Sequence, residues 1–274
     1  MMKNSKKLMT ALLAVSVLAA CGQKEEQVAE PVEQQEATID VSAEAEQFKS
    51  LLAGQMDSFV TDTELLARAI KEGKLQDAQK LYPLATMYYE RLQPLAPSFQ
   101  ELDGKINGNL IEGKETETAG FQRIAYGLFV EKKTAGYEKI ADELVANVKS
   151  LQADFATMDV SENNVLASAA NMFQGMANTR LTSPSVAGNE VYAVKAQTEA
   201  AEDLMEVFVP RVSTESADAA LKAITALNEM VAYYEVGKED YVNYNIFTTK
   251  QEQELITAVT NVEKALQQMN DSIK

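Results

Sequence analysis

The sequence predicts an all-α protein of roughly eight helices, packed as one or two antiparallel bundles. Three observations carry that expectation. Apolar residues recur at spacings of three and four through most of the chain from Val41 onward. No segment alternates apolar and polar residues long enough to argue for a sheet. Proline and glycine punctuate the periodic stretches where helices should stop.

The first periodic stretch carries Leu51, Leu52, Met56, Phe59 and Val60, then Leu65, Leu66 and Ile70, before Gly73 offers a stop. Residues Leu75 to Phe99 form a second stretch that Pro83, Pro94 and Pro97 should kink or end. Glu117 to Lys132 places Phe121, Ile124, Leu128 and Phe129 on one stripe, and Tyr137 to Phe155 repeats the spacing with Ile140, Leu144, Val148 and Leu151. Ser161 to Arg180 is Ala-rich, Val191 to Val209 ends at Pro210, and Ser216 to Val236 ends at Gly237. A last helix should begin near Thr249, where Thr249 and Glu252 have capping-box spacing. Tyr241 to Phe247 reads as loop. The connection Leu181 to Asn189, with Ser183, Pro184 and Gly188, offers a seam between two bundles.

The N-terminus is an address rather than structure. Lys3, Lys6 and Lys7 precede a 13-residue apolar run, Leu8 to Ala20, shorter than the ~20 residues of a membrane-spanning helix. Residues 1–20 therefore read as a signal peptide. Leu18-Ala19-Ala20-Cys21 matches the bacterial lipobox, which makes Cys21, the only cysteine, the lipidated N-terminus and the membrane anchor. Residues 21–41 read as a tether rich in Glu and Gln with too little apolar surface to fold, and residues 42–274 as the helical domain. Gly22 and Gln23 follow the cysteine with no aspartate, which points to a periplasm-facing lipoprotein of the bacterial cell envelope released to the outer membrane.

Composition excludes several chemistries. The chain contains no histidine, so imidazole coordination and imidazole acid–base catalysis are absent. It has no glycine-rich phosphate loop. Without residues 1–20, 22 basic side chains face 41 acidic ones, a net charge of −19 that would repel nucleic acid. No enzyme activity is expected.

Four blocks carry chemistry. They are Leu81-Tyr82-Pro83, then Tyr88-Tyr89-Glu90-Arg91-Leu92-Gln93-Pro94, then Leu102-Asp103-Gly104-Lys105-Ile106-Asn107, then Gly120-Phe121-Gln122-Arg123-Ile124-Ala125. In order and spacing they resemble the imelysin-like proteins, in particular the EfeO/EfeM branch of periplasmic iron-uptake proteins. The resemblance covers most of residues 43–272. It implies an imelysin-like helical fold and a metal site whose positions fall on Glu90, Asn107, Gln122 and Ala125. In the family, Asn107 would be aspartate, Gln122 histidine and Ala125 glutamate; only Glu90 keeps its ligand. The resemblance thus implies an iron-uptake-related binding or accessory lipoprotein with a degenerate metal site. No cofactor is expected to bind tightly, and an iron permease or other envelope protein is the implied partner. The alternative is a structural or protein-interaction lipoprotein without a small-molecule ligand.

The residues themselves leave three readings open. Gln122 and Asn107 could hydrogen-bond in place of a bridging metal. A pocket anchored by Glu90 could take an organic ligand. A displaced metal site could use Glu90, Glu101, Asp103 and Glu112 or Glu115. Tyr88, Tyr89, Tyr126 and Tyr192 could line a cleft or sit at the edge of the core.

Overall fold

The computed structural model describes residues 39–111 and 113–274. The expected signal peptide 1–20, Cys21, the tether as far as residue 38, and Glu112 lie outside the described residues. Among the described residues no helix is long and apolar enough to cross a membrane.

The described residues form ten α-helices in chain order: α1 Ser42–Ala53, α2 Met56–Lys71, α3 Leu75–Leu92, α4 Gln100–Asn107, α5 Gly120–Ala125, α6 Glu138–Phe155, α7 Val165–Gly175, α8 Glu190–Phe208, α9 Thr214–Tyr233 and α10 Thr249–Asp271. The all-α expectation holds, with more helices than expected. The first periodic stretch breaks at Gly54 and Gln55 into α1 and α2, and the short α4 carries too few apolar residues to announce itself.

Local chemistry explains most boundaries. On α2 the buried residues Met56, Phe59, Thr63, Leu66, Ala67 and Ile70 make one stripe at helical spacing. The helix ends at Gly73, whose φ of +74° suits a residue without Cβ. There the Gly73 N–H donates to the Ile70 carbonyl and the Lys74 N–H to Ala69, closing a Schellman cap. Helix α3 runs straight through Pro83 instead of ending there. Pro94 and Pro97 do end it, tightening Gln93–Phe99 into 3-10 helix. Helix α10 begins at Thr249 as expected, but its capping box uses Thr248 and Gln251 rather than Thr249 and Glu252: the Thr248 hydroxyl accepts from the Gln251 N–H while the Gln251 side chain accepts from the Thr248 N–H. The expected loop Tyr241 to Phe247 contains a 3-10 turn, Tyr244–Ile246, and its first residue closes a small antiparallel pair between Glu235–Gly237 and Asp240–Tyr241.

Helices α5 and α7 each continue into a π-helical turn, Tyr126–Val130 and Met176–Arg180. Each turn widens the spiral by one residue before the chain leaves it, which re-aims the last side chains.

Helix α2 packs on α3 and α6, and α5 packs on α4 and α6. Helix α7 packs on α10 and on the 3-10 segment, while α9 packs on α10 and α8. Helix α8 joins the two groups by packing on α3. It is buried on nearly every side, and Ala193, Ala196, Ala200 and Ala201 let its neighbours approach closely. One continuous apolar core runs through both groups. The expected seam at Leu181 to Asn189 is corrected by these contacts. Helix α7 already belongs with α10, so the division between groups falls before α7, between Phe155 and Val165.

Arg211 fastens the start of the described chain to its end. Its Nη1 donates to Glu44 at 2.5 Å and its Nη2 to the Asp40 carbonyl. Its Nε donates to the Lys274 carbonyl, and its own carbonyl accepts from the Lys274 N–H.

Gly120 opens α5 at φ +62°, and a Cβ there would stand 2.0 Å from the Ile106 carbonyl oxygen. Gly120→Ala should therefore combine a left-handed backbone penalty with a backbone collision. Equilibrium denaturation is expected to show a loss of at least about 2 kcal/mol, with α4 and α5 losing amide-exchange protection first.

Candidate functional site

Helix α3 presents consecutive residues to two different polar networks. Tyr89 and Glu90 are both buried, and one helical step of about 100° separates their directions. Tyr89 turns toward α4, where its hydroxyl donates to Asp103. Glu90 turns toward the second helix group.

The Glu90 carboxylate is only 2 % exposed and both of its oxygens are taken. Oε1 accepts from Arg180 Nη1 at 2.6 Å, and Oε2 accepts from Gln197 Nε2 at 2.8 Å. The π turn after α7 delivers Arg180, whose side chain remains 27 % exposed. Helix α8 delivers Gln197 and, two turns earlier, Glu190, which is fully buried at its N-terminus. Glu190 Oε1 accepts from the Ser185 N–H at 2.6 Å, while Glu190 Oε2 and Gln197 Oε1 have no hydrogen-bond partner. Asn189 extends the network by donating to Thr86 Oγ1 at 3.0 Å.

The electrostatics follow from burial. Loss of water pushes the Glu190 carboxyl up, against the opposing pull of Arg180 and the Ser185 N–H. Burial also disfavours charge on Arg180, yet the carboxylates of Glu90 and Glu190 outweigh it and raise the guanidinium above its ordinary value. Glu90 pairs with the guanidinium directly, and Glu190 acts on it only through its field.

The sequence-predicted site residues divide. Gln122 and Asn107 are brought together: Gln122 Nε2 donates to Asn107 Oδ1 at 3.0 Å. The close approach of Gly120 to Ile106 sets α5 beside α4 and so places this pair. Ala125 is fully buried in the core. Glu90 takes its partners from residues that sequence reasoning missed, namely Arg180 and Gln197. Of the acids offered for a displaced metal site, Glu101 pairs with Lys105, Asp103 receives the Tyr89 hydroxyl, and Glu115 accepts from the Gly113 N–H. Among the described residues no three metal-ligating His, Cys, Asp or Glu side chains converge, and Glu112 lies outside them.

A cleft of about 410 Å³ lies beside Asn189, between α3, Phe129 and the small strand pair. Tyr192 lines it, donates to Asp240 Oδ1 at 2.7 Å and meets Tyr241 edge to face. Glu90 does not line this cleft. Tyr88 stacks on Phe59 and has the Arg91 guanidinium over its ring, at the edge of the core. Tyr126 lies within cation–π distance of Arg123.

Glu190 gives the site a pH signature. Its folded-state value lies above its ordinary one, so protonation favours the folded state. Its contribution is fully present below the ordinary glutamate range and fades as pH rises through the raised value. Relative to Glu190→Gln, the wild-type protein should gain stability as pH falls from neutral toward about 4.5. Urea midpoints of both proteins across that window test it; a constant difference between them would contradict the assignment.

Comparison with known proteins places the arrangement. The family model described as Peptidase_M75, Imelysin, matches residues 44–269. An Efem/EfeO family lipoprotein of Staphylococcus haemolyticus (strain JCSC1435) is 29% identical over 285 residues, covering 96% of this chain and 98% of its own. Its counterpart in Staphylococcus aureus (strain MRSA252) is 27% identical over 225 residues, covering 78% and 79%. The crystal structure of an imelysin-like protein from Psychrobacter arcticum 273-4 superposes with a TM-score of 0.57 at 12% identity, covering 82% of this chain and 95% of that one, which supports the fold alone. The order of the four sequence blocks, the helical architecture and the span of the family match agree, and the chain belongs to the imelysin family, among relatives described as Efem/EfeO lipoproteins.

Proposed function

We propose that this chain is an envelope lipoprotein of iron acquisition that serves as a binding or accessory component rather than as an enzyme, and that the family's metal positions no longer hold a metal tightly. The lipoprotein relatives support the envelope setting, and the lipobox at Cys21 supports lipid attachment. Gly22 and Gln23 favour the outer membrane, and an iron permease or another envelope protein is the partner that fits an anchored accessory.

One observation carries the reading of the site. The one carboxylate kept among the four positions, Glu90, already has Arg180 on one oxygen and Gln197 on the other. The remaining positions offer two neutral amides bonded to each other and a buried methyl. Such a donor set lacks the negative charge that hard cations and iron require. The family model carries a peptidase description, but the two positions of its H-x-x-E pattern are Gln122 and Ala125 here. Neither can activate a water or exchange a proton.

Calorimetric titration of the protein lacking residues 1–20 with ferrous, ferric, zinc, cupric and calcium ions should show no stoichiometric binding tighter than about 10⁻⁴ M. Tight binding abolished by Glu90→Ala would overturn the reading.

A restoring variant tests the residue matching. Asn107→Asp, Gln122→His and Ala125→Glu together bury new charge, so the ion-free variant should be less stable than the parent by several kcal/mol, about 3 or more. Zinc or ferrous ion should recover that loss as a rise in melting temperature. A folded triple variant indifferent to metal would show that these positions do not converge.

A further inference from the structure

We propose that the cleft between α3 and the strand pair Glu235–Gly237/Asp240–Tyr241 binds a small zwitterion with an apolar body, of the size and class of an aromatic amino acid. None of the four family positions lines this cleft, and the proposal goes beyond the function given above.

Charge gives the class of ligand. Four charged side chains line the cleft: Lys80 from α3, Lys238 and Glu239 from the turn of the strand pair, and Asp240 from its second strand. Among the described residues none of the four makes an ion pair. Two ammoniums and two carboxylates sum to zero. A net cation or a net anion therefore gains against one pair and loses against the other, whereas a molecule carrying both signs gains against both. The acidic body of the chain adds to this, because it repels a net anion at range and leaves a zwitterion unaffected.

The walls give the body. Pro83, Leu84 and Phe129 supply apolar surface from α3 and its neighbour, and Tyr192 and Tyr241 supply ring surface from α8 and the strand pair. The two tyrosine rings meet edge to face at 5.1 Å, a corner of aromatic surface next to Asp240, which Tyr192 binds. Ring faces attract an ammonium, and Asp240 adds to that pull. The carboxylate of the ligand then falls to Lys80 across the cleft. A volume of about 410 Å³ lies within the usual range for small-molecule sites, about 300–1,000 Å³.

The cleft is also held open by its own bonds. Gln79 donates to the Leu128 carbonyl at 2.7 Å, tying α3 to the π turn that carries Phe129. Asn243 Nδ2 donates to the Ala187 carbonyl at 3.0 Å, and the Tyr244 N–H donates to the Gly188 carbonyl at 2.9 Å. Gly188, at φ +65°, permits that approach, since a Cβ there would stand 2.3 Å from Asn243 Oδ1. The amides of the lining are thus occupied in fixing the walls, which leaves rings and charges to a ligand and lowers the ordering cost of binding. Glu239 stands at φ +55°, where glycine would serve the turn alone with less strain.

L-Phenylalanine, phenethylamine and 3-phenylpropionate share one apolar body and carry both charges, the cation alone and the anion alone. Each would be titrated by calorimetry into the protein lacking residues 1–20. One phenylalanine per chain is expected, with Kd about 10⁻³ M or tighter, and each single-charge analogue at least about fivefold weaker. Lys80→Glu, at an exposed position, should weaken phenylalanine by at least about fivefold without weakening phenethylamine. Glu239→Gly should weaken phenylalanine by about threefold while melting no lower than wild type, a combination that a purely structural role of Glu239 would not give. No saturable binding of phenylalanine at about 10 mM overturns the proposal. So does a single-charge analogue that binds as tightly as phenylalanine, or a variant at either position that binds it as wild type does. The ion titrations given above use none of these ligands, so the two readings fail separately.

Discussion

The ion pair between Glu90 and Arg180 is the constraint on which the arrangement of the site depends. Glu90 lies on α3, in the first helix group, and Arg180 ends the π turn after α7, in the second. A carboxylate this deeply buried is tolerable only when its oxygens are satisfied. Arg180 satisfies one and Gln197 of α8 the other, so three elements from both groups meet at a single carboxylate. Apolar packing between α3 and α8 supplies contact area but is indifferent to small slides along the helix axes. The directional bonds at Glu90 fix the register that packing leaves free. Losing either charged partner would leave its mate stranded, at a cost of about 3–5 kcal/mol for a fully buried pair and less here because Arg180 reaches solvent.

Adjacent residues on one helix thus serve different ends. Tyr89 ties α3 to α4 through Asp103, and α4 is tied to α5 through Asn107 and Gln122. This chain of neutral and singly charged groups joins three helices in sequence, α3 to α4 to α5. An amide pair holds two helices together without the charge density an ion demands, and it needs nothing from solution to do so.

Much of the fold was legible because its physics is local. Helical spacing, the stop at Gly73 and the proline pair at 94 and 97 each act within a few residues of themselves. Pro83 misled because a helix held by tertiary contacts on both sides tolerates a missing bond. The π turns left no trace, since Tyr126–Val130 and Met176–Arg180 keep the apolar spacing of the helices they extend. In the site, the neighbours Asn107 and Gln122 were found through the order and spacing of the sequence blocks. Arg180 and Glu190 were invisible by contrast. Arginine at the end of a helix and glutamate at the start of one are where the helix dipole favours them on any surface. Only the fold, which carries residue 180 across to residue 90, turns those ordinary positions into a buried cluster. Glu190 and Gln197 do share a helix face at two-turn spacing, a faint signal that an acid-rich chain obscures.

The Arg211 clamp bears on how such a domain carries load. A pull on Asp40 would meet Arg211, which grips the Asp40 carbonyl while its Nη1 holds Glu44 in the first turn of α1. Because the same guanidinium and its backbone also grip Lys274, the pull would be shared between the two ends of the described residues rather than peeling α1 away alone.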